Sequence, residues 1–486
     1  MENVYKAKIL LLLVLVTGLA LRLESLGEES LWFDELETHR RSDFKSLGRV
    51  IEEVALTEFY PPAYHILMYY VIKYVGDTEY LLRLPSALAG TLAIYVMFLV
   101  GRRLYSIREG LISAALIATL WIPVHYSQEA RSYAFLLLFT LSATYYWLKI
   151  MDRDLNKATI AGYVITSCLS GYFHYFGLFL TVLQGTYAFI HYYRSRYPTS
   201  RLFLTYFMIF ALFIPWMPSM WYQKGNNAGS VEWIPAPGLE YFPYFIEWMF
   251  NNSWKGFLLV MTLYTYLIAY ELRKLVGKRS SGNLILDLSS PDLITIAWLV
   301  IPFTITFLAS TYLTPMLNFR YVIISIPAAY LLFAHAITLI PSSKRTQNII
   351  AIIIICLFLS RFIFTMGYYS DAHKEQYRDA VAYTIKGSDR YEDAMVIGYS
   401  GTKMFNEHFD YYFENLGSDV RIDVMGGRKA DIMNVSKSIN ARKPSYIWMM
   451  RGHSNVEPEF LTFLNETYTH IKHQGFVGAD VWLYKT

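Results

Sequence analysis

Eleven runs of apolar residues dominate this chain of 486 residues, at about 5–23, 79–101, 111–126, 133–150, 159–173, 176–193, 202–221, 241–270, 292–313, 320–340 and 347–366. Most come near the ~20 residues that a helix needs to cross a hydrocarbon core of ~30 Å. Hydrophobic residues make up 54% of the chain and charged ones 17%, more apolar surface than one soluble core can hide. The expected class is therefore a polytopic α-helical membrane protein. Its net charge of +4 is small, and the basic residues form short clusters between apolar runs. That pattern suits membrane topology better than a nucleic-acid stripe, and no nucleic-acid binding is expected. Cys168 and Cys356 both fall inside apolar runs, so neither a disulfide framework nor a thiolate metal site is expected.

Basic clusters orient the spans. Lys6/Lys8, Arg102/Arg103/Arg108, Lys149/Arg153/Lys157, Arg194/Arg196/Arg201, Arg273/Lys274/Lys278/Arg279 and Lys344/Arg345 all fall on the cytoplasmic side when eleven runs cross. A twelfth run, Pro62 to Val75, is ~21 Å long as a helix, short for a span, and counting it would put every later cluster on the wrong side. Residues 24–78 are therefore expected to form one long extracytoplasmic loop with interfacial helices, one of them starting at Pro61-Pro62. The N-terminus is expected in the cytoplasm and the C-terminus outside. Ile9 to Leu21 has the length of a signal-peptide core, but Arg22 and Glu24 follow without a small-x-small cleavage site, so a retained signal anchor is the simpler expectation.

The composition changes near residue 367, which divides the chain into a transmembrane domain, 1–366, and a soluble extracytoplasmic α/β domain, 367–486. In the second, strands are expected at 394–399, 420–425, 446–450 and 480–485, alternating with helices near 374–386, 404–413, 429–441 and 457–467. No Gly-x-Gly-x-x-Gly or Gly-Lys-Ser/Thr run opens any of these helices, so nucleotide binding is not expected.

The turns expected outside collect the ionisable residues: "LWFDELETHR" with "EFYPPAYH", then "HYSQEARSYA", "GYFHYFG", "WYQKGNNAGSVEWIPAPG" and "TPMLNFRYV". Carboxylates, histidines and arginines at one membrane face suit a lipid-linked substrate. Moving a sugar from a polyprenyl phosphate needs a carboxylate to accept the acceptor hydroxyl's proton and cations to neutralise the departing phosphate.

Five motifs carry a resemblance: "SLWFDE", "YPPAYHILMYY" with "EYLLRLPSALAG", "YSQEARSYA", "YFHYFG" and "NFRYVIISIPAAYLL". In this order and spacing, over most of residues 8 to 340, the chain resembles the C-type (GT-C fold) glycosyltransferases, in the group of the protein O-mannosyltransferases and lipid A aminoarabinose transferases. "EQYRDAVAYTIKG" is similar to openings of soluble domains in the same group. The resemblance implies a polyprenyl-phosphate-linked sugar donor, a protein or glycolipid acceptor at the outer face, and inversion at the anomeric carbon. It matches Asp34 to the acidic residue of the first loop that acts as base or sits beside the acceptor. It matches Arg131 or Arg320 to the cation that grips the lipid phosphate.

Asp34 and Glu35 are the catalytic candidates, and the same pair also suits the start of an interfacial helix. Gln128 and Arg131, at i and i+3, would share a helical face and point into one cavity, whereas Glu129 and Arg131 would pair only on an extended backbone. Arg320 with Tyr321 opens an apolar span, where a snorkelling anchor is the alternative to phosphate binding. Tyr60, His65, His174, Gln128, Glu129 and Tyr321 complete the expected substrate contacts, with Tyr126, Tyr133, Tyr172 and Trp32 as aromatic walls. A metal is implied near the site in the aminoarabinose transferases, on a Glu directly before Lys-Pro. This chain departs from that pattern with "TEFYPP", which leaves Glu35, His39 and His65 as candidate ligands for a divalent metal and the cofactor otherwise unassigned. Such chemistry requires Asp34 and Arg131 to face one cavity. A lipid or glycan flippase, the alternative function, would place ionisable groups near the bilayer midplane in two related halves, a pattern the sequence does not display.

Overall fold

The computed structural model describes residues 2–225, 233–280, 290–399 and 406–486. The chain forms two compact units. The first contains Met1–Glu24, Phe44–Tyr74 and Arg83–Gly367; the second contains Ser25–Asp43, Val75–Leu82 and Tyr368–Thr486.

The first unit is helical. Among the described residues six helices are long and apolar enough to cross a membrane: Glu79–Leu104, Tyr133–Met151, Ser200–Gly225, Pro291–Tyr312, Tyr321–Leu339 and Lys344–Thr365. The other apolar runs fall on Glu2–Leu23, Ile107–Thr119, Lys157–Phe173, Tyr175–Arg194 and the stretch from Tyr241. Close approach is set by small residues: a Cβ on Gly101 would come within 2.7 Å of the Gly110 Cα. Ala114, Ala118, Ala328, Ala329 and Ala334 are fully buried where the helices pack.

Two of the expected continuous runs are broken, each by a polar group that hydropathy averages away. The run 241–270 splits into Tyr241–Met249 and Trp254–Ser280. Asn251 and Asn252 between them have φ of 62° and 46°, a left-handed conformation that asparagine tolerates. The Asn251 carboxamide is buried, accepting from Trp121 N–H at 2.8 Å and donating to Phe358 O at 2.9 Å. That burial removes its Asn-x-Ser triplet from use as a glycosylation acceptor. The run 111–126 breaks at Leu120, whose ψ of 150° separates Ile107–Thr119 from Trp121–His125. There the fully buried Arg22 guanidinium donates to Ile117 O at 2.9 Å, Ala118 O at 3.2 Å and Ser127 Oγ at 3.1 Å. A buried cation is tolerable because carbonyl oxygens occupy its donor fork.

Helices Leu47–Thr57 and Ala63–Tyr74 are short, and Val50, Val54 and Tyr69 pack with Phe213 and Trp216. Twelve residues give the second about 18 Å, too little for a span.

The second unit carries a five-stranded sheet: β1 (Ala394–Tyr399), β2 (Val424–Met425), β3 (Tyr446–Gly452), β4 (Thr469–Phe476) and β5 (Ala479–Lys485), in the order β2-β1-β3-β5-β4. β1 pairs in parallel with β2 and β3, while β3–β5 and β5–β4 are antiparallel, so the βαβ pattern is completed by a hairpin at one edge. Sequence patterning missed β4, "THIKHQGF", because this edge strand is exposed along most of its length and lacks an apolar face. It overextended β2, which pairs only at Val424 and Met425. Ile397, Ile447, Met449, Val435 and Phe460 fill the core on one side of the sheet, and Trp448 packs on the other against Gly387, where a Cβ would meet its ring at 2.4 Å.

Candidate active site

Four separate turns of the first unit meet at one aromatic cluster. Tyr60 lies in the bend before Pro61-Pro62, and Tyr133 begins the helix Tyr133–Met151. His174 is the single extended residue between Lys157–Phe173 and Tyr175–Arg194, and Tyr321 opens a 3-10 turn. The Tyr60 hydroxyl donates to the Tyr321 hydroxyl at 2.8 Å. The His174 ring stands 4.9 Å from Tyr60, 5.2 Å from Tyr321 and 5.9 Å from Tyr133.

Both candidate arginines flank this cluster. The Arg131 guanidinium lies 5.5 Å from the Tyr60 ring centre; that of Arg320 lies 5.7 Å from Tyr133, 5.7 Å from Tyr321 and 5.5 Å from Trp233. Arg131 is held from behind, because Ser86 Oγ donates to its carbonyl at 3.2 Å and shares a 3.1 Å hydrogen bond with Tyr64. The sequence motifs around Tyr60, Ser86, Arg131, His174 and Arg320 thus gather at one place.

His174 has a fixed tautomer. Its Nδ1 accepts from Phe176 N–H at 3.2 Å, so a neutral ring carries its proton on Nε2, which is buried and has no hydrogen-bond partner among the described residues. Burial, reinforced by Arg131 and Arg320, pushes its pKa down to about 3, so the ring is neutral near pH 7. An unsatisfied N–H donor between two guanidiniums calls for an oxygen acceptor bearing negative charge.

Three other expected contacts are engaged elsewhere. Residues 128–131 form bends, so Gln128 and Arg131 do not share a helical face; the Gln128 amide instead donates to Glu24 O at 2.7 Å and Arg22 O at 3.2 Å. Glu129 pairs with His125 at 3.1 Å through one oxygen, and its buried Oε2 has no hydrogen-bond partner among the described residues. His65 is buried beside Glu58 at 3.9 Å.

The first-loop acids lie in the second unit, on the helix Phe33–Arg40. Asp34 is half-buried, and Glu35 is fully buried. Glu35 pairs with Lys374 at 3.4 Å and accepts from Trp32 N–H at 3.3 Å. The expectation that both acids are reactive therefore meets a difference: Glu35 is spent on a buried ion pair and on the helix start, leaving Asp34 as the candidate base. Glu37 is held by His408 at 2.9 Å and by Arg41 at 2.9 Å. Burial pushes its carboxyl up, but the His408 hydrogen bond and the Arg41, His408 and Arg40 charges outweigh this and bring it down to about 2. Patterning gave no role to Lys374, Glu375, His408 or His453; Glu375 opens the "EQYR" stretch, but the contacts of all four become visible only through the fold.

The metal candidates do not form a cage. His39 faces Asp77 at 3.7 Å, Glu35 is taken by Lys374, and His65 by Glu58. Among the described residues no group of three or more His, Cys, Asp or Glu comes together to hold a metal ion.

The model of the dolichyl-phosphate-mannose-protein mannosyltransferase family matches residues 60–221, the stretch that holds Tyr60, Arg131, Tyr133 and His174. No curated protein sequence matches the chain. Among solved structures, ArnT from Cupriavidus metallidurans in the apo state aligns with a TM-score of 0.60 at 13% identity, over 99% of this chain and 98% of that one. ArnT from the same organism bound to undecaprenyl phosphate gives 0.56 at 14% identity, over 97% of each chain. The archaeal oligosaccharyltransferase AglB from Archaeoglobus fulgidus, in complex with an inhibitory peptide and a dolichol-phosphate, gives 0.51 at 13% identity, over 99% of this chain and 74% of that one. The fold is that of a GT-C membrane glycosyltransferase. More particularly, it is the fold shared with ArnT, and the protein resides in a membrane.

Proposed function

We propose that the protein transfers a sugar from a polyprenyl-phosphate donor to a hydroxyl of a protein or lipid-linked glycan, with inversion, at the extracytoplasmic membrane face. Asp34 accepts the proton as the acceptor oxygen attacks the anomeric carbon. The bond from that carbon to the phosphate oxygen breaks, and its electron pair leaves on the lipid phosphate. The phosphate goes from one negative charge to about two, and Arg131 and Arg320 compensate the added charge. His174 contributes a neutral N–H donor, and Tyr60 and Tyr321 wall the phosphate. Lys6, Lys8 and the later basic clusters support a cytoplasmic N-terminus, eleven spans and an outer C-terminal domain. The observation carrying this function is the placement of two guanidiniums around one aromatic cluster that also holds an orphaned imidazole N–H.

Titration with polyprenyl monophosphate, the expected product, tests the anion site. Arg131→Ala and Arg320→Ala should each weaken binding and lower turnover about 100-fold, as loss of one donor to a developing oxyanion does. Turnover on a panel of radiolabelled polyprenyl-phosphate sugars that is unaffected in both variants would remove the anion site from the mechanism.

A further inference from the structure

The start of the helix that carries Asp34 is capped by a distant part of the sequence. A helix leaves its first N–H groups unpaired, and the residue before Phe33 is Trp32, whose side chain has no oxygen to cap them. The Phe33 N–H donates instead to Glu375 Oε2 at 2.8 Å. The other oxygen of the same carboxylate, Oε1, receives His453 Nδ1 at 2.8 Å, and the His453 ring stacks on Phe33 with centres 4.1 Å apart. Residues just before the helix are pinned alongside: Leu31 N–H donates to the Tyr412 hydroxyl at 2.6 Å, Ser30 Oγ to Glu375 O at 2.5 Å, and Lys374 N–H to Glu29 Oε1 at 3.0 Å. All of these residues belong to the second unit.

We propose that Glu375 and His453 are positioning residues for the reaction, and that the C-terminal part of the chain thereby forms part of the catalytic apparatus: the Glu375 carboxylate fixes the backbone one residue before Asp34, and His453 fixes that carboxylate and the Phe33 ring. This rests on Asp34 being the base. Catalytic groups must be held to within about 0.5 Å of productive geometry, and a carboxylate cap with a stacked imidazole supplies such a hold. The "EQYR" opening near Glu375, which has no assigned role in transfer, becomes the element that orients the base.

The test uses the full-length protein and the radiolabelled polyprenyl-phosphate sugar that the wild type turns over fastest. Glu375→Ala should lower kcat roughly 10- to 100-fold with donor KM within about twofold, since only the approach to the transition state is disturbed. It should also speed hydrogen exchange at the Phe33 amide. Glu375→Gln keeps an oxygen for Phe33 N–H and should restore most of both. Should Glu375→Ala fail to fold, His453→Gln, on the more exposed half of the pair, carries the same expectation in milder form. Unchanged kcat in Glu375→Ala and His453→Gln, alongside an inactive Asp34→Asn, overturns the positioning role and leaves the base intact. A fully active Asp34→Asn overturns both.

Discussion

Glu37 ties the first-loop helix to His408 and two arginines, and its carboxyl is held at about 2 against an ordinary value of 4.5. A depressed acid stabilises the fold at pH above its unfolded value, and that contribution is lost as pH falls through the folded value. The stabilisation, on the order of 3 kcal/mol, should therefore be present above about pH 4.5 and vanish toward about pH 2. Thermal unfolding of the full chain from pH 6 down to about 2 checks this: the Tm gap between wild type and Glu37→Gln should close across that window, and a constant gap would contradict it. Single residues were legible to different degrees. Arg131, His174, Arg320, Tyr60 and Tyr321 could be named because each stands at a polar turn between apolar runs, and the fold brings these five together. Gln128 and Glu35 could be named for the same reason, but partners distant in the sequence claim them, the end of the first helix in one case and Lys374 in the other. Hydropathy registers that a residue is polar and cannot say which hydrogen bond it makes.

Among elements, Glu2–Leu23 is fastened by a charge. The Arg22 guanidinium reaches the carbonyls of Ile117 and Ala118, freed where the helix breaks at Leu120, and Gly90 leaves room for it, since a Cβ there would fall 2.9 Å from Arg22 Nε. Arg22→Met should destabilise the protein by about 2–4 kcal/mol by leaving buried carbonyls unpaired, and Gly90→Ala should do so by overpacking. Unfolding in detergent monitored by intrinsic tryptophan fluorescence measures both; wild-type stability in Arg22→Met would show that the freed carbonyls find other donors. Element boundaries were legible wherever period and length agreed, as in β1 and Tyr133–Met151. They failed where one side chain decides the backbone: the left-handed Asn251-Asn252 pair splits an apolar run, and the polar edge strand β4 is recruited by hydrogen bonds from β5 rather than by any apolar face.

Across the whole molecule, the membrane class followed from the amount of apolar sequence, and the GT-C fold from five short motifs in register. The division into units was less accessible, because the residues that attach 25–43 and 75–82 to the C-terminal sequence include isolated polar side chains that form no pattern: Arg378 on Glu79 at 2.8 Å, Tyr411 on Asp77 O at 2.8 Å, and Glu375 on Phe33. The first loop thereby becomes a shared element, its flanks in one unit and its helices Leu47–Thr57 and Ala63–Tyr74 in the other. If the proposed chemistry is right, removing the carboxylate of Asp34 removes the base and spares the phosphate contacts. Single-turnover transfer from a radiolabelled polyprenyl-phosphate sugar, with the anomeric configuration of the product read by NMR, measures this most directly. Wild type should give the inverted product, while Asp34→Asn should bind donor with unchanged affinity and transfer at least about 1,000-fold more slowly. Transfer by Asp34→Asn at the wild-type rate, or a product of retained configuration, would contradict it.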